Sequence, residues 1–426
     1  MLKRLFLKFK GLISLITGNI GAQLIGILMI PIIARIFSPE DIGQLSLLIS
    51  ILAIINVFST LKLELALPLE AENKKLVNLI SASFIILLFV VIITFIAVHG
   101  LLINDLLSYN LVFYLLPLML LGDGIYNLVV YFSIRFENYK GIAISKISKS
   151  LITSGSQISF GLVKSNSLSL ILGDILGRIL GANRLLVKVV TFIKEHKNEI
   201  SLRNIASAIR EYKKFPLLSA PSAFLNSSSL QLFPIFIGLF FNNYYLGIYA
   251  MGQRILVAPL GFISQAIGQF FLGNATKLVR SNNIKQLKAI FMRYLIFLLL
   301  FSGSIVSIIL IFSEIIINFF LGNNWIEVND VIKAISLMVV IQFAVSPLSQ
   351  ILNVLKKQEI QLYWDAFRFT LVIAMLFCSQ YFELTFINSV ELYSYILIFS
   401  YLCLLIIIFS LFFKMNKTSL DVRGAK

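Results

Sequence analysis

Acidic residues, cysteine, histidine and tryptophan are all scarce in this chain. Of its 426 residues only 20 are Asp or Glu, against 36 Lys and Arg, and Cys, His and Trp occur twice each. Cys378 and Cys403 stand alone inside apolar runs, with no CxxC spacing, and read as inert thiols rather than a disulfide framework. His99 and His196 are far apart and have no nearby ligand partner, so the sequence indicates no metal site. Walker, HExxH and GxSxG motifs are missing, as is an acidic cluster in a sizeable loop. Chemistry on sugars or acyl chains usually gathers acids, bases or metal ligands at one interface. The chain is therefore expected not to be an enzyme and to use no cofactor.

What is abundant is apolar sequence. At 58% hydrophobic and 13% charged residues the chain cannot expose an ordinary soluble surface. Twelve apolar runs, near 12–34, 42–61, 76–99, 111–133, 147–163, 168–190, 215–241, 249–272, 290–313, 331–354, 367–383 and 392–413, are of membrane-spanning length. They lack barrel alternation, and unpaired backbone is too costly in lipid, so they are predicted to be helices of an all-α polytopic membrane protein. The opening MLKRLFLKFK resembles a signal peptide. Its apolar run is too long, however, and has no small-x-small cleavage site, so it reads as a retained first helix.

The basic residues orient these runs. With a cytosolic N-terminus, 31 of the 36 Lys and Arg fall on the cytosolic side, the outward loops hold only Arg35 and Lys164, and Arg178, Arg254 and Lys333 lie within or at the edge of spans. By the positive-inside rule both termini are expected in the cytosol and the protein in an inner-type membrane. The net charge of +16 is then explained without nucleic acid. The longest polar segment, 191–214, is partly amphipathic through Ile193, Ile200, Ile205, Ala208 and Ile209. It is either a helix on the cytosolic membrane surface or a solvated linker. It divides six runs (1–190) from six (215–426). Pro31 stands twelve residues before Gly43, and Pro234 thirteen before Gly247, each pair enclosing a polar turn. This faint repeat suggests two parallel six-helix bundles around a central cavity.

Ionisable residues inside a bilayer are expensive and should face a partner or a cavity. Asp123, Asp174, Arg178 and Arg254 are so placed. Asp174 and Arg178 are four apart on one helical face, which fits an intrahelical ion pair as well as a role facing the cavity. Asp123, between Gly122 and Gly124, is a lone acid near mid-membrane by position. It reads as a structural carboxyl or, like Asp174, as a candidate for binding a coupling cation, H+ or Na+. Arg254, Gly261, Gln265, Gly268 and Gln269 share one sector of the eighth run, a stripe that lines a path or serves helix packing. Asn19 and Gln23 in the first run, Asn226 in the seventh, and Arg35 complete the cavity candidates.

The ordered series TGNIGAQLIGILMIPIIARIFSPEDIGQLSL, KLELALPL, RFENYKGIAISKISKSL, GLVKSNSLSLILGDILGRILG, YKKFPLLSAPSAFLNSSSLQLFPIFI and LGIYAMGQRILVAPLGFISQAIGQFF resembles the Wzx-type polysaccharide-export flippases. These belong to the multidrug/oligosaccharidyl-lipid/polysaccharide exporter superfamily. The resemblance covers most of residues 10–290 and implies a twelve-helix, two-bundle transporter working by alternating access. The implied substrate is an undecaprenyl-pyrophosphate-linked oligosaccharide of O-antigen, lipopolysaccharide or capsule type, carried across the bacterial cytoplasmic membrane. The implied partners are that glycan, membrane lipid, a coupling cation and polysaccharide-assembly proteins. A cavity bearing cationic side chains is a further implication, which Arg178 and Arg254 fit. A cation-coupled drug or metabolite exporter of the same superfamily is the first alternative reading. A membrane glycan polymerase or acyltransferase is the second.

Overall fold

The computed structural model describes residues 2–104, 111–281, 283–355 and 357–424, with side chains described between 17 and 412 except at 258, 262, 265, 266 and 280. Among them every regular element is helical. In chain order these are α1 (Leu2–Ile36), α2 (Pro39–Ile55), α3 (Asn73–Ile103), α4 (Leu116–Arg135), α5 (Tyr139–Val163), α6 (Ser167–Leu180), α7 (Asn183–Glu195) and α8 (Leu202–Glu211). There follow α9 (Ala220–Phe236), α10 (Asn243–Arg280), α11 (Ile284–Ile316), α12 (Val328–Val345), α13 (Ile351–Val354), α14 (Gln358–Tyr381) and α15 (Phe386–Gly424). Each of the twelve apolar runs is helical over most of its length, the second ending at Ile55 instead of 61. Eight described helices are long and apolar enough to cross a membrane, which makes this a multi-pass membrane protein. The other runs include α2, only 17 residues long, and α5, whose first half carries Lys140, Lys146 and Lys149.

The sixth run departs most from its predicted extent of 168–190. It breaks after Leu180, and α7 follows as a separate amphipathic helix that buries Leu185, Val189 and Phe192. The physical reason is composition: Asn183, Arg184, Lys188 and Lys194 cannot follow the apolar stretch into lipid. In the segment 191–214, α8 turns Ile205 and Ala208 into the core of the first unit, packed against α3. Asn78 of α3 fixes it by donating to the Glu199 carbonyl at 3.0 Å and accepting from the Ser201 N–H at 3.2 Å. The Tyr212 hydroxyl donates to Glu70 at 2.9 Å. Burial pushes that hydroxyl up, to about 12, and the bond to Glu70 adds to the shift. Burial acts to raise Glu70 as well, but the Glu72 N–H and the Tyr212 hydroxyl outweigh it and hold the carboxyl below its ordinary range.

Two compact units divide the chain, Met1–Gly247 and Ile248–Lys426. In the first, Ser38 caps α2 in a reciprocal capping box with Asp41, and Pro39 opens the helix, so this start is strongly specified. Gly43, one turn later, lies so close to the Asn243 carbonyl that a methyl group there would overlap it, and a methyl on Gly247 would overlap the Pro39 carbonyl. The two glycines of the faint repeat thus face each other at one contact, each needed because backbone occupies the space of a side chain. In the second unit α12 packs against α11 and α15, and Phe291 meets Phe412 at a centroid distance of 5.4 Å.

Candidate functional site

A stripe of glycines builds the site. Gly173, Gly177 and Gly181 recur every fourth residue of α6 and one further turn, and each faces α5: Gly173 meets Gln157, Gly177 meets Thr153, and Gly181 meets Lys149. Small residues at this spacing allow two helix backbones to approach closely in lipid. Polar rungs lock the pair, with Gln157 Nε2 donating to the Leu170 carbonyl at 3.0 Å and Ser145 Oγ to the Gly181 carbonyl at 2.8 Å. Gly122 of α4 lies against Arg178, leaving just 3.2 Å between a methyl there and the Arg178 Cβ. Close packing of α4, α5 and α6 therefore brings their charges to one place.

At that place Arg178 joins two carboxylates. Its Nη1 lies 2.5 Å from Asp123 Oδ1, and its Nε donates to Asp174 Oδ2 at 2.5 Å. The intrahelical pair with Asp174 is real, but it is one half of a two-acid arrangement. Asp123 is not the isolated acid that its sequence context suggests. Lys149 Nζ lies 3.3 Å from Asp123 Oδ1 and 4.3 Å from the centre of the Tyr126 ring, and Asn56, where α2 ends, donates to Asp123 Oδ2 at 3.4 Å. One turn along α5, Lys146 donates to Asn19 Oδ1 at 2.5 Å. Three cations and two carboxylates thus leave one positive charge in excess. Arg178 and Asp174 are buried while Asp123, Lys146 and Lys149 are half-buried, and the Lys149 side chain, 28% exposed, is more accessible than that of Asp123, 18% exposed.

The remaining sequence candidates lie elsewhere. Arg35 is exposed in the last turn of α1, and Gln23 and Asn226 are exposed on α1 and α9. Arg254 is half-buried and Gln269 exposed on α10 of the second unit, and the side chain of Gln265 lies outside the described residues. Sequence reasoning missed Lys146 and Lys149, because Lys149 stands two residues inside the predicted start of the fifth run and was grouped with the cytosolic lysines. A lysine pair three apart in the Ser-rich stretch AISKISKS was the available signal. It also missed Arg368, likewise grouped with the cytosolic residues. Arg368 is buried in α14, 3.1 Å from Asp365 and 4.4 Å from the centre of the Trp364 ring, and it donates to the Tyr401 hydroxyl at 3.5 Å. A buried arginine held by its own helix and the next is a packing element of the second unit.

Comparisons with known proteins bear on this arrangement. Residues 32–330 match a family model described as polysaccharide biosynthesis protein. No protein of curated function matches the sequence. Among solved structures the fold is similar to the lipid II flippase MurJ in an inward closed conformation, with a TM-score of 0.66 and 15% identity over 96% of this chain and 91% of that one. It is also similar to an inward-facing multidrug resistance MATE family transporter of the MOP superfamily, with a TM-score of 0.64 and 13% identity over 93% and 96%. A MOP superfamily transporter from Pyrococcus furiosus Vc1, described as having a binding pocket of reverse polarity, gives a TM-score of 0.55 at 12% identity over 96% of both chains. The shared architecture is the two-bundle helical fold of these transporters.

Proposed function

We propose, from the premise that this chain belongs to the polysaccharide biosynthesis protein family, that it is a flippase for lipid-linked oligosaccharides. Its substrate is a polyprenyl-pyrophosphate-linked glycan, the undecaprenyl type in a bacterial cytoplasmic membrane, moved by alternating access. The observation that carries this reading is the excess positive charge of Lys146, Lys149 and Arg178 over Asp123 and Asp174. A pyrophosphate entering the membrane interior needs such compensation, and charge-assisted bonds are the strong ones there. Protonation of Asp123 would release Lys149 and one arm of Arg178 towards the anion. Proton and anion binding would then be linked, each favouring the other. Arg254 and Arg35, which lie outside this cluster, are proposed as substrate contacts at other stages of transport.

Export of glycan in a strain lacking the chromosomal copy tests this. Lys149→Gln is expected to reduce export about tenfold or more at matched protein level, Lys149→Arg to retain most of it, and Asp123→Asn to remove its dependence on the proton gradient. Wild-type export by Lys149→Gln would end the proposal. The alternative reading, exchange of a cation for a drug at free carboxylates, is less well supported, since both acids already hold cations within the cluster.

Orientation is tested by thiol labelling. Asn242 is exposed between the helices α9 and α10, whereas the neighbouring Asn243 is half-buried, so Asn242 is the better outward position. A cysteine at Asn242 is expected to react with an impermeant reagent in intact cells. One at Asn198, exposed between α7 and α8, should react only after permeabilisation. The opposite pattern would reverse the topology.

A further inference from the structure

A cavity of about 220 Å³ opens where α5 begins, α6 ends and α7 starts. Its polar lining includes Ser148, Asn183 and Arg184, and its apolar lining Ile144, Ile152 and Leu180. It is separate from the charged cluster, whose residues do not line it. We propose that this cavity binds the phosphodiester headgroup of an anionic membrane phospholipid, independently of the transported substrate.

Three features carry the assignment. Arg184 is exposed, has no carboxylate partner among the described residues, and presents the planar fork that suits phosphate oxygens. The first turn of α7 has no side-chain cap, and its residues Asn183 and Arg184 line the cavity together with Ser148. The neighbouring surface is apolar: Leu180 of the lining is 46% exposed, and Leu151 and Val187, one helical turn from the lining residues Ser148 and Arg184, are 50% and 60% exposed, while Lys188 of α7 is also exposed. Free phosphate would gain nothing from that apolar rim. A phospholipid would bury its glycerol and upper acyl chain against it while basic residues attract the headgroup. The place fits as well, since α7 is an amphipathic helix that follows directly on the apolar α6.

The test uses the purified full-length protein in detergent, with native mass spectrometry to count bound phosphatidylglycerol. One to two phosphatidylglycerol molecules are expected to remain bound where phosphatidylcholine does not, and inorganic phosphate at the same concentration should not displace them. Arg184→Gln is expected to weaken phosphatidylglycerol retention about tenfold, the scale of a charge-assisted bond. Ser148→Val, which removes the hydroxyl and narrows the cavity without changing charge, should weaken it similarly. Lys197→Gln, an exposed cation away from the cavity lining, should not. Equal losses in Arg184→Gln and Lys197→Gln would reduce the effect to general electrostatic attraction and overturn the proposal. So would displacement by inorganic phosphate, or unchanged retention in both cavity variants.

Discussion

Arg178→Gln is expected to lower the thermal midpoint of the purified protein by several degrees and to abolish export. Removing the guanidinium leaves Asp174 buried without its 2.5 Å partner, and leaves Asp123 with Lys149 and Asn56 only. Breaking one side of a buried ion pair costs about 3–5 kcal/mol, most of it the desolvation of the charge left behind. Arg178→Lys should recover little, because one ammonium cannot take the places of both Nε and Nη1. Neutralising the acids separates structural from functional roles. Asp174→Asn added to Arg178→Gln should restore part of the stability, and Asp123→Asn added to both should restore most of it. If export stays absent in the partly restabilised Asp174→Asn, Arg178→Gln variant, which keeps Asp123, Arg178 contributes charge to the substrate path as well as to packing. If the single Arg178→Gln variant unfolds like wild type, the two-acid arrangement contributes nothing to stability.

Gly43→Ala is expected to yield little folded protein, and Gly247→Ala the same. At both positions the added methyl meets a main-chain carbonyl, that of Asn243 or of Pro39. A flexible side chain could move aside, but a helix start held by the Ser38 capping box and Pro39 cannot do so cheaply. Overpacking of this kind costs about 1–3 kcal/mol, and more where backbone must shift. Gly26→Ala is the control, since nothing lies within 4 Å of a methyl there and alanine is the better helix former. Size-exclusion profiles of fluorescent fusions would compare the three. Equal monodisperse peaks from Gly43→Ala and Gly26→Ala would show that the two helix starts do not approach as closely as described.

Much of this was legible in the residues themselves. Twelve apolar runs, a scarcity of acids and the clustering of lysine and arginine between runs point to a polytopic helical membrane protein, because lipid admits no other backbone arrangement for such segments. The pairing of Asp174 with Arg178 was visible too, since four residues is one helical turn. The Pro and Gly spacing near Gly43 and Gly247 marked positions that matter, although it did not reveal that the two glycines touch.

Other features depend on distances between elements, which spacing along the chain does not encode. Asp123, read as isolated, acquires Arg178 and Lys149 only because the glycines of α6 let α5 approach and Gly122 admits α4. Lys149 and Arg368, read as loop cations, become a cluster member and a packed core residue. The end of α6 at Leu180 follows from the polar residues of α7 and produces the cavity beside Arg184. Sequence by itself determined that the chain crosses a membrane as helices, because burying a backbone in lipid is a local requirement that each run meets alone. Which charges neutralise one another was decided only by the tertiary structure, because Coulomb energy depends on separation in space and helix packing sets that separation.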